Sequence, residues 1–195
     1  MILNRTFYQQ PTLQVAEQLI GKLLVRTVGE QLLIGKIVET EAYIGENDSA
    51  CHAAKGLTPR TEVMFGEAGF SYIYLVYGMH FMLNIVTEKT NYPAAVLIRA
   101  VEPLSGISIM QNHRNAEMKA LCNGPAKLCQ AFAINKDLNN WNLTKGHTLW
   151  LEEPNTPSKP TVIRTARIGI DYANKKDKDA KWRFCHKNSH FVSRK

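Results

Sequence analysis

Of the 195 residues only four are cysteine (Cys51, Cys122, Cys129 and Cys185), and no two stand at C-x-x-C spacing. A disulfide framework is therefore not expected. The natural setting is a reducing compartment, with the thiols as small core residues. The six histidines show no His-Glu-x-x-His spacing, so histidine and cysteine offer no metal constellation. A phosphate-cradling glycine loop, a dinucleotide fingerprint and a serine nucleophile elbow are also missing. What remains is cofactor-free hydrolysis or plain binding. No apolar run approaches the roughly 18 residues of a membrane span. Met1-Ile2-Leu3-Asn4-Arg5-Thr6 lacks the charged region and apolar run of a secretory signal, so neither membrane insertion nor export is expected. There are no internal repeats or low-complexity tracts.

What the chain does have is positive charge. Lys and Arg number 24 against 17 Asp and Glu, a net +7, with a pI near 9.3. Such a balance favours a polyanionic partner, because neutralising phosphates releases their counterions. The 45% hydrophobic and 21% charged content is that of an ordinary globular protein. The length fits one domain, residues 1–195, with a core that needs no staples.

The hydrophobic pattern predicts a mixed α+β fold. Thr12–Ile20 reads as a short helix with Thr12 as N-cap and Gly21 as stop. Leu23–Val28 and Leu32–Tyr43 read as strands joined by Gly29-Glu30-Gln31. The long stretch Gly45–Gly69 is polar and punctuated by Gly and Pro, the mark of a functional loop. Ser71–Tyr77 and His80–Thr87 form a hairpin turning near Gly78, and Ala95–Val101 is a strand delivering Arg99 near its end. Gly106–Asn112 and Gly124–Ile134 are helical, the latter with Asn123 as cap and Pro125 in its first turn. After Pro154 the pattern predicts strands at Ala166–Ile170 and Trp182–Lys187, flanking the basic run Lys175-Lys176-Asp177-Lys178.

Two segments concentrate groups able to do chemistry. In Val38–Tyr43 (V-E-T-E-A-Y) a period of two puts Glu39, Glu41 and Tyr43 on one strand face, and His52 follows nine residues after Tyr43. Glu41, at a strand end before a loop, is placed to face a cleft; a solvated carboxylate is the ordinary alternative. Glu39 and Glu41 would lie roughly 6.5–7 Å apart, within the range of paired carboxylates in inverting glycosidases. One strand, however, places both on the same side of a substrate. In Tyr72–Asn84 (Y-I-Y-L-V-Y-G-M-H-F-M-L-N), Tyr72 and Tyr74 share a face and Tyr77 sits at the turn. A bulky tip can wedge between base pairs, or fold back on its own hairpin. Tyr43 and His52 offer stacking and hydrogen bonding to a base. Lys127, near the start of its helix, is either a phosphate contact or a solvated lysine. Together these suggest an enzyme acting on an extruded nucleobase.

These blocks carry a family resemblance. I-V-E-T-E-A-Y (Ile37–Tyr43), A-C-H (Ala50–His52), T-P-R (Thr58–Arg60), Y-x-Y-x-x-Y-G-M (Tyr72–Met79) with Asn84, L-I-R-A-V-E-P-L (Leu97–Leu104) and N-G-P-A-K-L-C-Q-A (Asn123–Ala131) resemble the alkyladenine (3-methyladenine) DNA glycosylases of the mammalian type. The resemblance extends along nearly the whole chain. It implies a curved, mainly antiparallel sheet with a protruding β-hairpin that enters the minor groove of DNA. It also implies a base-excision repair enzyme that needs no cofactor and acts, as a monomer, on double-stranded DNA containing alkylated bases. The matching roles are Glu41 as the general base for water, with Arg99 and the Ile168 main-chain carbonyl holding that water. Tyr43, His52 and Tyr74 match the walls of the base pocket, Asn84 the residue that disfavours guanine, and Tyr77 the intercalating tyrosine. A catalytically silent damaged-DNA-binding protein of the same fold is the alternative, for which an intact Glu41 and Arg99 have no use. His80, Leu83 and the longer Thr87–Pro93 depart from the pattern and bear on lesion range and hairpin contacts. The location implied is the cytoplasm at the nucleoid in a bacterium, or the nucleus in a eukaryote.

Overall fold

The structure, a computed structural model, describes residues 1–156 and 160–194. Eight strands form one mainly antiparallel, unclosed sheet: β1 (Leu23–Val28), β2 (Gln31–Ile44), β3 (Ser71–Val76), β4 (His80–Val86), β5 (Ala94–Ser105), β6 (Leu149–Glu152), β7 (Val162–Thr165) and β8 (Arg183–His186). The order is β3-β4-β5-β2-β1-β6, with β8 joining β2 to β7. Among the described residues six short helices accompany it: α1 (Arg5–Tyr8), α2 (Thr12–Gln18), α3 (Ile107–His113), α4 (Met118–Leu121), α5 (Pro125–Ala131) and α6 (Lys175–Asp179). The expected α+β class and antiparallel sheet are thus present.

Strand β2 organises the sheet. One edge pairs with β5 from Ile34 to Ile44, while the other edge is divided between β1 and β8. Strand alternation then sorts side chains between two environments. Ile73, Leu83, Ile85, Val96 and Ile98 face the helices and join Leu19, Ile37, Met110 and Phe132 in the main core. Full burial of each large side chain there stabilises the fold by about 1.5–3 kcal/mol. On the opposite face Tyr72, Val86 and Ala95 pack with Cys51, Met64, Tyr43 and Tyr74. The long loop lies over this second face as two 3₁₀ turns, His52–Lys55 and Glu62–Phe65. All four cysteines are buried and free.

Several sequence expectations need correction. Pro11, not Thr12, is the N-cap of α2, because the Thr12 hydroxyl and amide are taken by Glu88 across the fold. Gly124, not Asn123, caps α5, although Pro125 does occupy its first turn. β5 continues to Ser105, so Arg99 lies in mid-strand. The strand expected at Ala166–Ile170 is absent: β7 ends at Thr165, and Gly169, at φ 78°, breaks any extended continuation.

Candidate active site

Cross-strand register builds the site. Tyr72 pairs with Asn84, Asn84 with Leu97, Leu97 with Glu41, and Glu41 with Arg183. Directly opposed residues point to the same face, so one row across five strands carries an aromatic, an amide and a carboxylate to the loop-covered side. A bulge refines the row. Glu39 pairs with Ala100 and Thr40 with Ile98, leaving Arg99 as the extra residue. Bulges re-aim a side chain at small cost to the ladder. Here the guanidinium drops between the two carboxylates, with Nε donating to Glu39 Oε1 and NH1 to Glu41 Oε2, each at 3.2 Å.

Both carboxylates are fully buried, but their surroundings differ. Glu39 accepts from Arg99, from Arg183 Nε at 2.7 Å, and from the Ser193 amide and hydroxyl at 2.6 and 2.9 Å. It is a charge-balancing strut rather than a second reacting group, which removes the paired-carboxylate arrangement. Glu41 accepts from the Ile168 amide (2.7 Å), the Tyr43 hydroxyl (2.8 Å) and Arg99. All three donors line one cavity of about 500 Å³, inside the range of small-molecule sites. Burial pushes the Glu41 carboxyl above the ordinary carboxylate range; the Arg99 charge and the Ile168 and Tyr43 hydrogen bonds pull the other way. A carboxyl raised in this way holds a proton more readily than an ordinary one.

The remaining walls are aromatic. The His52 ring meets Tyr74 edge-on with centroids 4.4 Å apart, and its Nδ1 lies 2.9 Å from the Tyr72 hydroxyl. Burial and the neighbouring cations Arg60 and Lys55 push His52 down to about 4, so it is neutral at physiological pH. Asn84 is buried, with Nδ2 donating to the Tyr72 carbonyl at 3.1 Å, which stops it swinging aside. Tyr43 is backed by Arg167, whose guanidinium lies 4.8 Å from the Tyr43 ring centroid and 4.9 Å from that of Trp182. At the rim, the β3–β4 turn holds Tyr77 at φ 53° and Gly78 at φ 71°. Two successive left-handed residues suit a tight hairpin, but a tyrosine there is under backbone strain. Tyr77 nonetheless projects its ring, 87% exposed.

A family model described as methylpurine-DNA glycosylase (MPG) matches residues 6–190. The chain belongs to the methylpurine-DNA glycosylase family. Proteins named "Putative 3-methyladenine DNA glycosylase" are 48% identical in Methanocella arvoryzae (all of this chain, 96% of the relative) and 45% in Carboxydothermus hydrogenoformans (all of both). A third, from Myxococcus xanthus, is 50% identical over 88% of this chain and 83% of its own. As a member of that family this protein is a DNA glycosylase, a hydrolase of N-glycosyl bonds.

Of the residues singled out in the sequence of this glycosylase, Tyr43, His52, Tyr74, Tyr77, Asn84, Arg99 and Ile168 all line the one cavity, with Glu41 bonded to three of them. At Ile168 the recorded contact to Glu41 is through the amide rather than the carbonyl. Lys127 stands apart: it is exposed on α5, and its ammonium donates to Asn123 Oδ1 at 2.8 Å. Sequence reasoning missed Tyr72 as the partner of His52, Arg60 stacked 5.3 Å from the Tyr74 centroid, and Arg167. Strand alternation already placed Tyr72 beside Tyr74. For Arg167 the only signal was its position next to Ile168.

Proposed function

We propose that this glycosylase is monofunctional and hydrolyses the N-glycosidic bond of alkylated purines in duplex DNA. The substrates are 3-methyladenine and 7-methylguanine, with ethenoadenine and hypoxanthine in the wider range. The observation that carries this reading is a buried carboxylate whose three hydrogen-bond donors all line an aromatic cavity. The damaged nucleotide rotates out of the stack, and Tyr77 fills the space it leaves. Its base enters between Tyr43, His52 and Tyr74, where stacking contributes roughly 1–3 kcal/mol by analogy with single-strand binders. A neutral His52 suits a base that is itself cationic, since an imidazolium would repel it. Asn84, held by the Tyr72 carbonyl, crowds the exocyclic amine of guanine, a clash that the good leaving group of cationic 7-methylguanine offsets and that unmodified guanine cannot.

Glu41 takes a proton from a water held by Arg99 and the Ile168 carbonyl. The water oxygen bonds to C1′ as the C1′–N bond breaks. The bonding electron pair goes to the purine, which leaves neutral when the alkylated base was cationic. No acid is then needed at the leaving group. No lysine lines the cavity among the described residues, which fits hydrolysis without strand cleavage. The enzyme works as one unit over 1–195 and as a monomer, in the cytoplasm if bacterial and in the nucleus if eukaryotic. Lys127 contributes a phosphate contact outside the pocket.

The test is incubation with alkylated duplex DNA and detection of free purine base by chromatography. Release of 3-methyladenine without strand scission supports the reading. Tight binding to damaged duplex with no released base would instead make this a damage-binding protein.

A further inference from the structure

Arg167 is only 5% exposed and does not itself line the cavity. Its NH1 donates to Asp48 Oδ2 at 2.6 Å and its NH2 to Asp48 Oδ1 at 2.8 Å, a two-pronged ion pair of the kind that fixes a guanidinium plane. NH1 also donates to the Ala42 carbonyl (2.9 Å) and NH2 to the Asp177 carbonyl (3.2 Å). The same plane is packed between the Tyr43 and Trp182 rings, and Nε has no hydrogen-bond partner among the described residues. A buried donor left unsatisfied costs free energy, so this orientation is held by the rings and by Asp48.

Each partner leads back to the site. Ala42 precedes Tyr43, the wall that also bonds Glu41, and Ile168, whose amide bonds Glu41, is the next residue along. Asp48 itself accepts from the Ile44 and Ala50 amides, tying in the loop that carries His52. We propose that Arg167 is a positioning residue: clamped by Asp48, it holds the Tyr43 ring and the Ile168 backbone in the arrangement that presents Glu41 to the water. The inference rests on the glycosylase reading for its kinetic consequence but not for its structural one. A misplacement of about 1 Å remote from the chemistry costs on the order of 100-fold in rate, so a slowing of roughly 10- to 100-fold is expected when the clamp is lost.

The experiment uses the full chain with Arg167→Met, Arg167→Lys and Asp48→Asn, each checked for folding by circular dichroism. The first readout is the ¹⁵N–¹H resonance of Ile168, which a carboxylate acceptor at 2.7 Å draws downfield; Glu41→Gln identifies that displacement. The second is single-turnover base release from alkylated duplex, alongside affinity for undamaged duplex. In Arg167→Met the Ile168 resonance should move upfield and base release slow 10- to 100-fold, with undamaged-duplex affinity kept. Arg167→Lys retains the charge but not the planar fork, and should recover only part of each. If Arg167→Met fails to fold, Asp48→Asn carries the same two readouts. A folded variant whose only change is a lower melting temperature, with the Ile168 resonance and base release unmoved, overturns the proposal. A parent protein that releases no base refutes the glycosylase reading instead and leaves the resonance test intact.

Discussion

Replacing Tyr77 with glycine should raise stability and lower activity together. The residue sits at φ 53° with its ring 87% exposed, so truncating it removes almost no packing. Left-handed backbone costs a residue with a Cβ about 1–2 kcal/mol, and a Cβ-free residue escapes that cost. Against this, glycine loses more chain entropy on folding, roughly 0.5–1 kcal/mol. The net gain is about 0.5–1 kcal/mol, or a rise in melting temperature of about 1–4 °C for a chain of this size. Tyr77→Ser keeps the Cβ and should melt with the parent. Both variants lose the wedge. If insertion contributes about 1–3 kcal/mol, as base–aromatic stacking does, the flipped population falls by roughly 5- to 150-fold. Fluorescence of ethenoadenine in duplex DNA reports that unstacking, and single-turnover excision reports its consequence. Parent-level fluorescence and excision from Tyr77→Ser would refute the wedge. A glycine variant that melts below the serine variant would refute the strain argument.

Glu41→Gln should remove excision while keeping lesion binding, a loss of about 100- to 10,000-fold read by single turnover. Because burial raises the Glu41 pKa, excision should fall with decreasing pH at values above the ordinary carboxylate range. The same sign means that stability present at low pH is lost as pH rises through the folded pKa. His52, held near 4, should add no inflection between pH 5 and 8; a bell-shaped profile centred there would contradict this. Glu39→Gln should be destabilising, since it leaves Arg183 and Arg99 short of a buried counter-charge, an effect of about 3–5 kcal/mol measurable by urea denaturation. Lys127→Ala should reduce the salt slope of duplex binding by about 0.9, and an unchanged slope would make Lys127 a solvated lysine.

The hairpin and the face that Glu41 shares with Tyr43 were legible because they depend on local alternation. Tyr72 to Asn84 needs only a turn, and Tyr77-Gly78 supplies it. The features that went unread depend on partners far along the chain. Thr12 has the chemistry of a cap, but Glu88, 76 residues away, claims its hydroxyl. Ala166–Ile170 has strand-like residues, yet Arg167 is committed to Asp48 and two rings, and the Ile168 amide to Glu41. No ladder is open to it. Arg99 could be placed on a strand, but the bulge that seats it between two carboxylates arises from the pairing of β2 with β5. Glu39 read as a candidate second member of a carboxylate pair because Arg183 and Ser193, which occupy it, lie 144 and 154 residues away.

That last separation has a consequence for how the molecule is made. Ribosomes add about 5–20 residues per second, so Glu39 waits roughly 8–30 seconds for Arg183 and Ser193 to appear. In that interval β2 and β5 can already pair, but Glu39 and Glu41 share Arg99 alone. Two carboxylates facing one guanidinium resist removal from water, so the nascent sheet keeps this edge hydrated. Docking of β8, with Ala42 donating its amide to the Trp182 carbonyl, brings the second cation and seals the edge. The segment 183–194 should therefore be among the last to dock. In pulse-labelling hydrogen exchange, the Thr40 and Ala42 amides should gain protection together with those of β8, later than the β3–β4 hairpin.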